Sequence, residues 1–176
     1  MDCINVKIDK KEASRDELYD VATNVVRALL DAKMTFSSAE SCTGGLVGGT
    51  VTAVSGSSAV YFGGIITYTN DIKINVLGVD SSLIDKHTEV SAPVARRMAE
   101  RVREKLSSDI GVSATGFAGP TGGNENDPVG TVYVGIADKN SSSVYRLSYA
   151  IDTQREEIRL LTVQFILEKL ALMASK

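Results

Sequence analysis

Met34-Thr35-Phe36-Ser37-Ser38-Ala39-Glu40-Ser41-Cys42-Thr43-Gly44-Gly45 is the stretch whose reading decides the fold. Residues 34–39 are short, follow a helical pattern and read as a strand. Glu40 to Gly45 then break the pattern with small and polar residues. The run from there to Val54 is rich in Ala, Val and Gly. Glycine disfavours helix, yet the run has no proline and few charges, so it reads as a tightly packed, buried helix. A strand therefore passes into a helix through a turn that contains Ser41.

Upstream, Ser14 and Glu17 make an S-x-x-E capping box. Leu18, Val21, Ala22, Val25, Val26, Leu29 and Leu30 then recur with helical spacing, predicting an amphipathic helix of about five turns. Residues 1–13 read as a mixed, charged lead-in, and 14–176 as the domain. Downstream, 61–68 reads as a strand, and Asn70 can cap a helix that passes Lys73 and ends at Gly78. Ser91, with Pro93 in the first turn, opens a second amphipathic helix carrying Val94, Ala95, Met98, Ala99, Val102 and Leu106. Residues 109–115 form an apolar strand and 116–128 a loop rich in Gly, Asn and Pro. Residues 131–137 and 144–149 read as a hairpin. Thr153 and Glu156 make another capping box. The helix after it carries Ile158, Leu161, Phe165 and Leu172 on one face, while Leu160 and Val163 point to a second buried side. This alternation predicts an α/β fold layered on a mixed sheet.

The chain has 176 residues and 43% hydrophobic residues, enough for one domain with a sizeable core. A chain of this length buries about 70% of the surface exposed when unfolded. Nineteen basic against 22 acidic residues leave a net charge of −3, which excludes an electrostatically driven nucleic-acid binder and a polybasic membrane anchor. No apolar run approaches the ~18 residues of a spanning helix. The first residues show neither a long apolar stretch nor a cleavage site, so no secretory signal is expected and the protein is expected in the cytoplasm. Cys3 and Cys42 are too few for a disulfide scaffold. With one histidine, His87, no metal site and no cofactor are expected.

In open α/β sheets, ligands bind beyond the carboxyl ends of strands. Three unusual segments, 40–45, 68–73 and 115–123, begin where strands are predicted to end, and their gathering defines the candidate site. Amides of Cys42, Thr43, Gly44 and Gly45 are expected to be unpaired and able to stabilise an oxyanion, with Ser41 as nucleophile. The plainer reading makes Ser41 an N-cap and the glycines packing residues. Several hydrolase patterns fail. G-x-S-x-G is absent because Ala39 and Thr43 flank Ser41, S-x-x-K is absent because Gly44 holds the lysine position, and no phosphate-loop pattern is present. A Ser-His-Asp triad could use only His87, whose plainer role is structural. Lys73 is the remaining base candidate, if burial lowers its pKa; otherwise it is a solvated lysine, and Tyr68 a strand packing residue. Thr115, Gly116 and Gly119 allow close backbone approach to a ligand, or form an ordinary loop. Arg155, in the first turn of the last helix, opposes the helix dipole and suggests an anionic partner, against a plain surface role.

Ala39-Glu40-Ser41-Cys42-Thr43-Gly44-Gly45, Thr67-Tyr68-Thr69-Asn70 with Lys73, Gly116-Phe117-Ala118-Gly119-Pro120 and Pro128-Val129-Gly130-Thr131-Val132 occur in that order. Together they resemble the CinA C-terminal domain family over roughly residues 15–172; its characterised bacterial members are nicotinamide mononucleotide deamidases. The resemblance implies a three-layer α/β/α sandwich that assembles as a homo-oligomer, dimer or higher. It implies metal-free hydrolysis of the carboxamide of nicotinamide mononucleotide to nicotinate mononucleotide and ammonia by a serine–lysine mechanism. It places the nucleophile at Ser41 and the base at Lys73, with Tyr68, Thr115 and Arg155 lining the site. Tyr68 is a second proton relay in this picture.

Three departures bear on the substrate. Thr88-Glu89 follow His87 where Gly-Ala is common in the family. The 121–127 loop carries Glu125 and Asp127, which would be unfavourable near a phosphate, and Thr153-Gln154 precede Arg155 where Gly-Asp or Gly-Asn is common. Many relatives also carry an N-terminal molybdopterin-binding-like domain with pyrophosphatase activity, which is not expected of 176 residues. Two other functions fit the same fold: a non-catalytic nucleotide-binding or regulatory module, and a partner-binding oligomer using the apolar last helix.

Overall fold

The computed structural model describes residues 3–9, 12–150 and 152–175. Strand β2 (Phe36–Glu40) is buried along its whole length, and the sheet grows outward from it. Strand β3 (Tyr61–Ile66) lies parallel on one side and β4 (Ile110–Gly116) parallel on the other. Beyond β4 come β5 (Thr131–Ala137), antiparallel to it, and β6 (Ser142–Tyr149), antiparallel to β5. The short strand β1 (Ile4–Ile8) pairs parallel with β6, giving the order β1-β6-β5-β4-β2-β3.

Helices cover both faces, so the predicted three-layer α/β/α sandwich with a mixed sheet is the observed one. Helices α1 (Arg15–Ala32), α2 (Leu46–Thr52) and α6 (Arg155–Ala174) pack on one face and share the larger apolar core. The other face is covered mainly by α5 (Ala92–Leu106), with α4 (Ser81–His87) beside it. The short helix α3 (Asn70–Ile72) runs into a π-helical segment, Lys73–Leu77. From β2 the chain crosses through α2 to β3, then returns through α3, α4 and α5 to β4 on the far side of β2. The carboxyl end of β2 is therefore a switch point between connections that leave in opposite directions, where such sheets form crevices.

Several local expectations shift. The lead-in contains an edge strand, β1, whose Lys7 and outward-facing Ile4 break any apolar alternation; Met1, Asp2, Lys10 and Lys11 of that segment lie outside the described residues. Thr69, not Asn70, caps α3, its Oγ1 accepting from the Ile72 amide at 3.4 Å. The box opening α6 is displaced by one residue: the Gln154 amide donates to Glu157 Oε2 at 2.8 Å. The predicted box at Ser14 and Glu17 is formed, with bonds of 3.0 and 3.2 Å. Seven-residue α4 escapes periodicity because it spans only two turns.

The surplus apolar residues of α6 also have an internal explanation. Leu160, Val163 and Phe165 are buried within the chain, where α6 packs against α1 and α2. They give no reason to expect a second copy on that helix. Among the described residues, no helix is long and apolar enough to cross a membrane.

Helix α5 approaches the sheet through two glycines. A Cβ on Gly111 of β4 or on Gly135 of β5 would run into the carbonyl of Ala99 or Ala95. Ser113 Oγ, between them, donates to the Ala95 carbonyl at 2.6 Å and accepts from the Gly135 amide at 3.2 Å. Overpacking of this kind destabilises by about 1–3 kcal/mol. Gly135→Ala is expected to lower the unfolding free energy by that amount, read as a lower urea midpoint at an unchanged m-value. An unchanged midpoint would contradict the close approach.

Candidate functional site

The carboxyl ends of β2, β3 and β4 are laced together before the site begins. The Ser41 amide donates to the Ala114 carbonyl at 2.9 Å, and the Thr67 amide to the Glu40 carbonyl at 2.7 Å. Ser41 thus sits at the end of β2 with its backbone tied to the neighbouring strand. Its side chain is 8% exposed, buried yet reachable.

Lys73 meets it there. The side chain is 1% exposed. Its Nζ lies 3.3 Å from Ser41 Oγ and donates to the Thr67 carbonyl at 2.9 Å. The lysine is placed by the Thr69 cap and by its own amide, which donates to the Thr69 carbonyl at 3.1 Å. It starts the π-helical segment, whose end is closed by Gly78 at φ +87°. Removal from water penalises the ammonium, so burial lowers the Lys73 pKa from its ordinary 10.5; the Glu89 carboxylate and the Cys42 thiol oppose that shift. Sequence reasoning treated Glu89 only as a departure in the loop after His87. Here it is a half-buried carboxylate whose charge acts on the amine, fixed by the bond from Thr115 Oγ1 to its carbonyl at 2.8 Å.

The turn after Ser41 differs from expectation. The amides of Gly44 and Gly45 are not free. Gly44 donates to the Ser41 carbonyl at 3.1 Å, and Gly45 donates to Glu40 Oε2 at 2.9 Å. Glu40 also accepts from the amides of Val47 at 3.1 Å and Gly48 at 3.1 Å, and from Ser38 Oγ at 3.1 Å. The positive end of α2 is thereby occupied by the chain's own carboxylate. Two amides of the turn, Cys42 and Thr43, have no backbone acceptor among the described residues. The Cys42 thiol is buried and pushed up to about 12, with its own amide opposing the shift; it is no nucleophile near neutrality.

The remaining residues lie around this centre. Tyr68 is 60% exposed. Its hydroxyl accepts from Arg155 Nη2 at 3.4 Å, and among the described residues it has no bond to Ser41 or Lys73. Arg155 Nη1 donates to the Gly119 carbonyl, 2.6 Å away. Thr115 is 1% exposed with its hydroxyl on Glu89. At Gly116 a Cβ would meet Thr131 and Val132, so this glycine serves strand packing. Gly119, at φ +79°, would meet Val129. His87 is the last residue of α4. Asp127 accepts from Tyr133 at 2.8 Å and Arg146 at 3.0 Å, which neutralises it against the sheet, while Glu125 is exposed. Sequence reasoning missed Glu40, Thr67, Glu89 and Arg159. Arg159 could have been found, because it shares a helix face with Arg155 at i, i+4.

These features place a buried serine–lysine pair at the switch point of an α/β sheet. The CinA C-terminal domain model matches residues 18–174. The chain is 49% identical over 126 residues to a CinA-like protein of Chlorobaculum tepidum, covering 72% of this chain and 30% of that protein. It is 43% identical over 150 residues to one of Geobacter sulfurreducens, covering 85% and 35%. Among solved structures it resembles the competence/damage inducible protein CihA from Agrobacterium tumefaciens, with TM-score 0.86, 33% identity, and 95% and 99% of the two chains covered. It also resembles a competence-damaged protein (CinA) superfamily protein from Escherichia coli, with TM-score 0.84, 26% identity, and 95% of each chain covered. The chain belongs to the CinA C-terminal domain family. It spans about a third of the length of the curated relatives it matches.

The buried amine has a consequence for stability. An amine with a lowered folded pKa is proton-poor in the native state and proton-rich in the unfolded one, between that pKa and 10.5. Stability therefore rises with pH across this window, and the destabilisation is complete below it. In urea unfolding between pH 7 and 10, the wild type is expected to gain stability with pH relative to Lys73→Met. Parallel pH profiles would contradict a desolvated Lys73.

Proposed function

We propose that the chain hydrolyses the carboxamide of nicotinamide mononucleotide, giving nicotinate mononucleotide and ammonia. The observation that carries this reading is the buried Lys73 amine 3.3 Å from Ser41 Oγ. An ammonium would hold the serine hydroxyl as an acceptor only. A neutral amine donates to Thr67 and keeps its lone pair for the serine proton. Burial is the force that lowers the lysine pKa here, against the opposing Glu89 carboxylate and Cys42 thiol.

In this reading Ser41 Oγ attacks the carboxamide carbon as Lys73 Nζ takes its proton. Charge that develops on the carbonyl oxygen is met by a free amide of the turn. The Lys73 ammonium returns the proton to nitrogen, and ammonia leaves. Water then attacks the ester carbonyl, giving a proton to Lys73, which passes it to Ser41 Oγ as the C–O bond breaks and nicotinate mononucleotide is released. Tyr68 and Arg155 stand together on the rim, outside the Ser41–Lys73 bonds. They suit a holding role better than a relay.

The charges around the pair favour a zwitterionic substrate. Arg155 offers a forked cation to a phosphate, and Glu89 offers a carboxylate on the lysine side to a cationic ring. Asp127, already paired with Arg146, brings no unpaired charge to oppose the phosphate.

The test is ammonia release from nicotinamide mononucleotide. Ser41→Ala is expected to lose at least a thousandfold in rate while staying folded. Arg155→Ala is expected to raise KM for the mononucleotide far more than for nicotinamide riboside. Retained activity in Ser41→Ala, or equal KM effects on both substrates, would reject the corresponding role.

A further inference from the structure

Arg159 lies one helical turn beyond Arg155 on α6 and reaches the turn after Ser41. Its Nε donates to the Cys42 carbonyl at 3.1 Å and its Nη2 to the Thr43 carbonyl at 3.0 Å. One planar fork thus holds two consecutive carbonyls, a geometry that a lysine cannot reproduce. The side chain is half-buried.

A peptide unit is planar and trans, so its C=O and N–H point in opposite directions. Turning the Cys42 carbonyl toward α6 therefore turns the Thr43 N–H away from α6. Turning the Thr43 carbonyl does the same for the Gly44 N–H, which finds the Ser41 carbonyl at 3.1 Å. The amides of Gly45, Val47 and Gly48 are held by Glu40. The amides of Cys42 and Thr43, one and two residues past the nucleophile, are left without a backbone acceptor among the described residues, and the direction of the Thr43 amide is set by the guanidinium.

We propose that Arg159 is a positioning residue that holds the turn after Ser41 so that its unpaired amides, those of Cys42 and Thr43, meet the oxyanion of acyl transfer at Ser41. The proposal rests on the reading of Ser41 as an acylating nucleophile, and does not depend on which amide or ester is attacked.

A single-turnover reaction with p-nitrophenyl acetate tests it without the nucleotide. Ser41 Oγ bonds to the acetyl carbon, Lys73 takes the serine proton, and p-nitrophenolate leaves. Its release is followed by absorbance, and the acetyl group is located by mass spectrometry. Loss of one oxyanion donor lowers turnover by about 10²–10³-fold, and a donor turned away rather than removed is expected to lose about 10–100-fold. Arg159→Ala is expected to acylate that much more slowly while KM for the mononucleotide holds. Arg159→Lys keeps the charge but not the fork and is expected to remain at least tenfold slow. Ethylguanidinium is expected to restore part of the rate to Arg159→Ala and none to Ser41→Ala.

Wild-type rates in Arg159→Lys would show that charge alone suffices and overturn the proposal. So would wild-type rates in Arg159→Ala, or a wild-type Ser41 that the ester does not acylate. If Arg159→Ala fails to fold, Arg159→Lys decides. A wild type acylated on Ser41 and slowed by Arg159→Lys, yet inert toward nicotinamide mononucleotide, supports the proposal and rejects the substrate reading.

Discussion

A carboxylate that is 1% exposed must be met by donors, and Glu40 is met by four: three amides from the start of α2 and the Ser38 hydroxyl. This bond set joins the last residue of β2 to the helix that follows it, across the residues that contain Ser41. It accounts for the glycines. Gly45 caps α2 at φ +97°, a conformation that side chains resist. Gly48 leaves room for the Tyr61 hydroxyl, which meets Ser38 at 2.8 Å. Removing one partner from such a network leaves a buried charge unanswered, which is costlier than the loss of a single bond. The turn is held from its other side by Arg159, so the Cys42 and Thr43 carbonyls are committed as firmly as the amides that Glu40 takes, and the Cys42 and Thr43 amides are left over.

The state of the buried amine is set by an opposing balance. Lys73 is removed from water almost completely, and its charged form has two modest supports, Glu89 and Cys42. No carboxylate lies within ion-pair distance of Nζ among the described residues; the bonds it makes are to a carbonyl and a hydroxyl. A lysine in a full ion pair would keep its proton. The π-helical segment that Lys73 begins is a form often found at functional positions. The active arrangement thus depends on what is kept away from the amine as much as on what is placed beside it.

Much of this was legible in the sequence because the relevant signals are local. The Ser14 capping box, the α5 stripe and the β5–β6 hairpin follow from residue spacing. Ser41 and Lys73 are candidates by their positions after strands, with plainer readings beside them, and the resemblance to the CinA C-terminal domain family is what gives them their roles. What was not legible is set by distant partners. Glu40 could have been suspected, as an acid closing an apolar strand before two glycines, yet its role needs α2 folded back onto it. Thr67 acts through its backbone carbonyl, which has no signature in sequence. The one-residue errors at the caps of α3 and α6 arose because neighbouring polar residues, Thr69 and Asn70 or Thr153 and Gln154, compete for one role. The apolar surplus of α6 does not by itself say where its cover comes from; Leu160, Val163 and Phe165 are covered within the chain, while Leu172 is exposed.

The central claim is that Ser41 carries a covalent acyl intermediate formed with the help of a neutral Lys73. Acid quenching of the protein within its first turnover on nicotinamide mononucleotide, followed by mass spectrometry of the Ser41 peptide, tests it most directly. The account predicts a nicotinate mononucleotide ester on Ser41 in the wild type, formed faster as pH rises through the lowered Lys73 pKa, and absent from Lys73→Met. Ammonia release without any adduct on Ser41, persisting in Ser41→Ala, would contradict it.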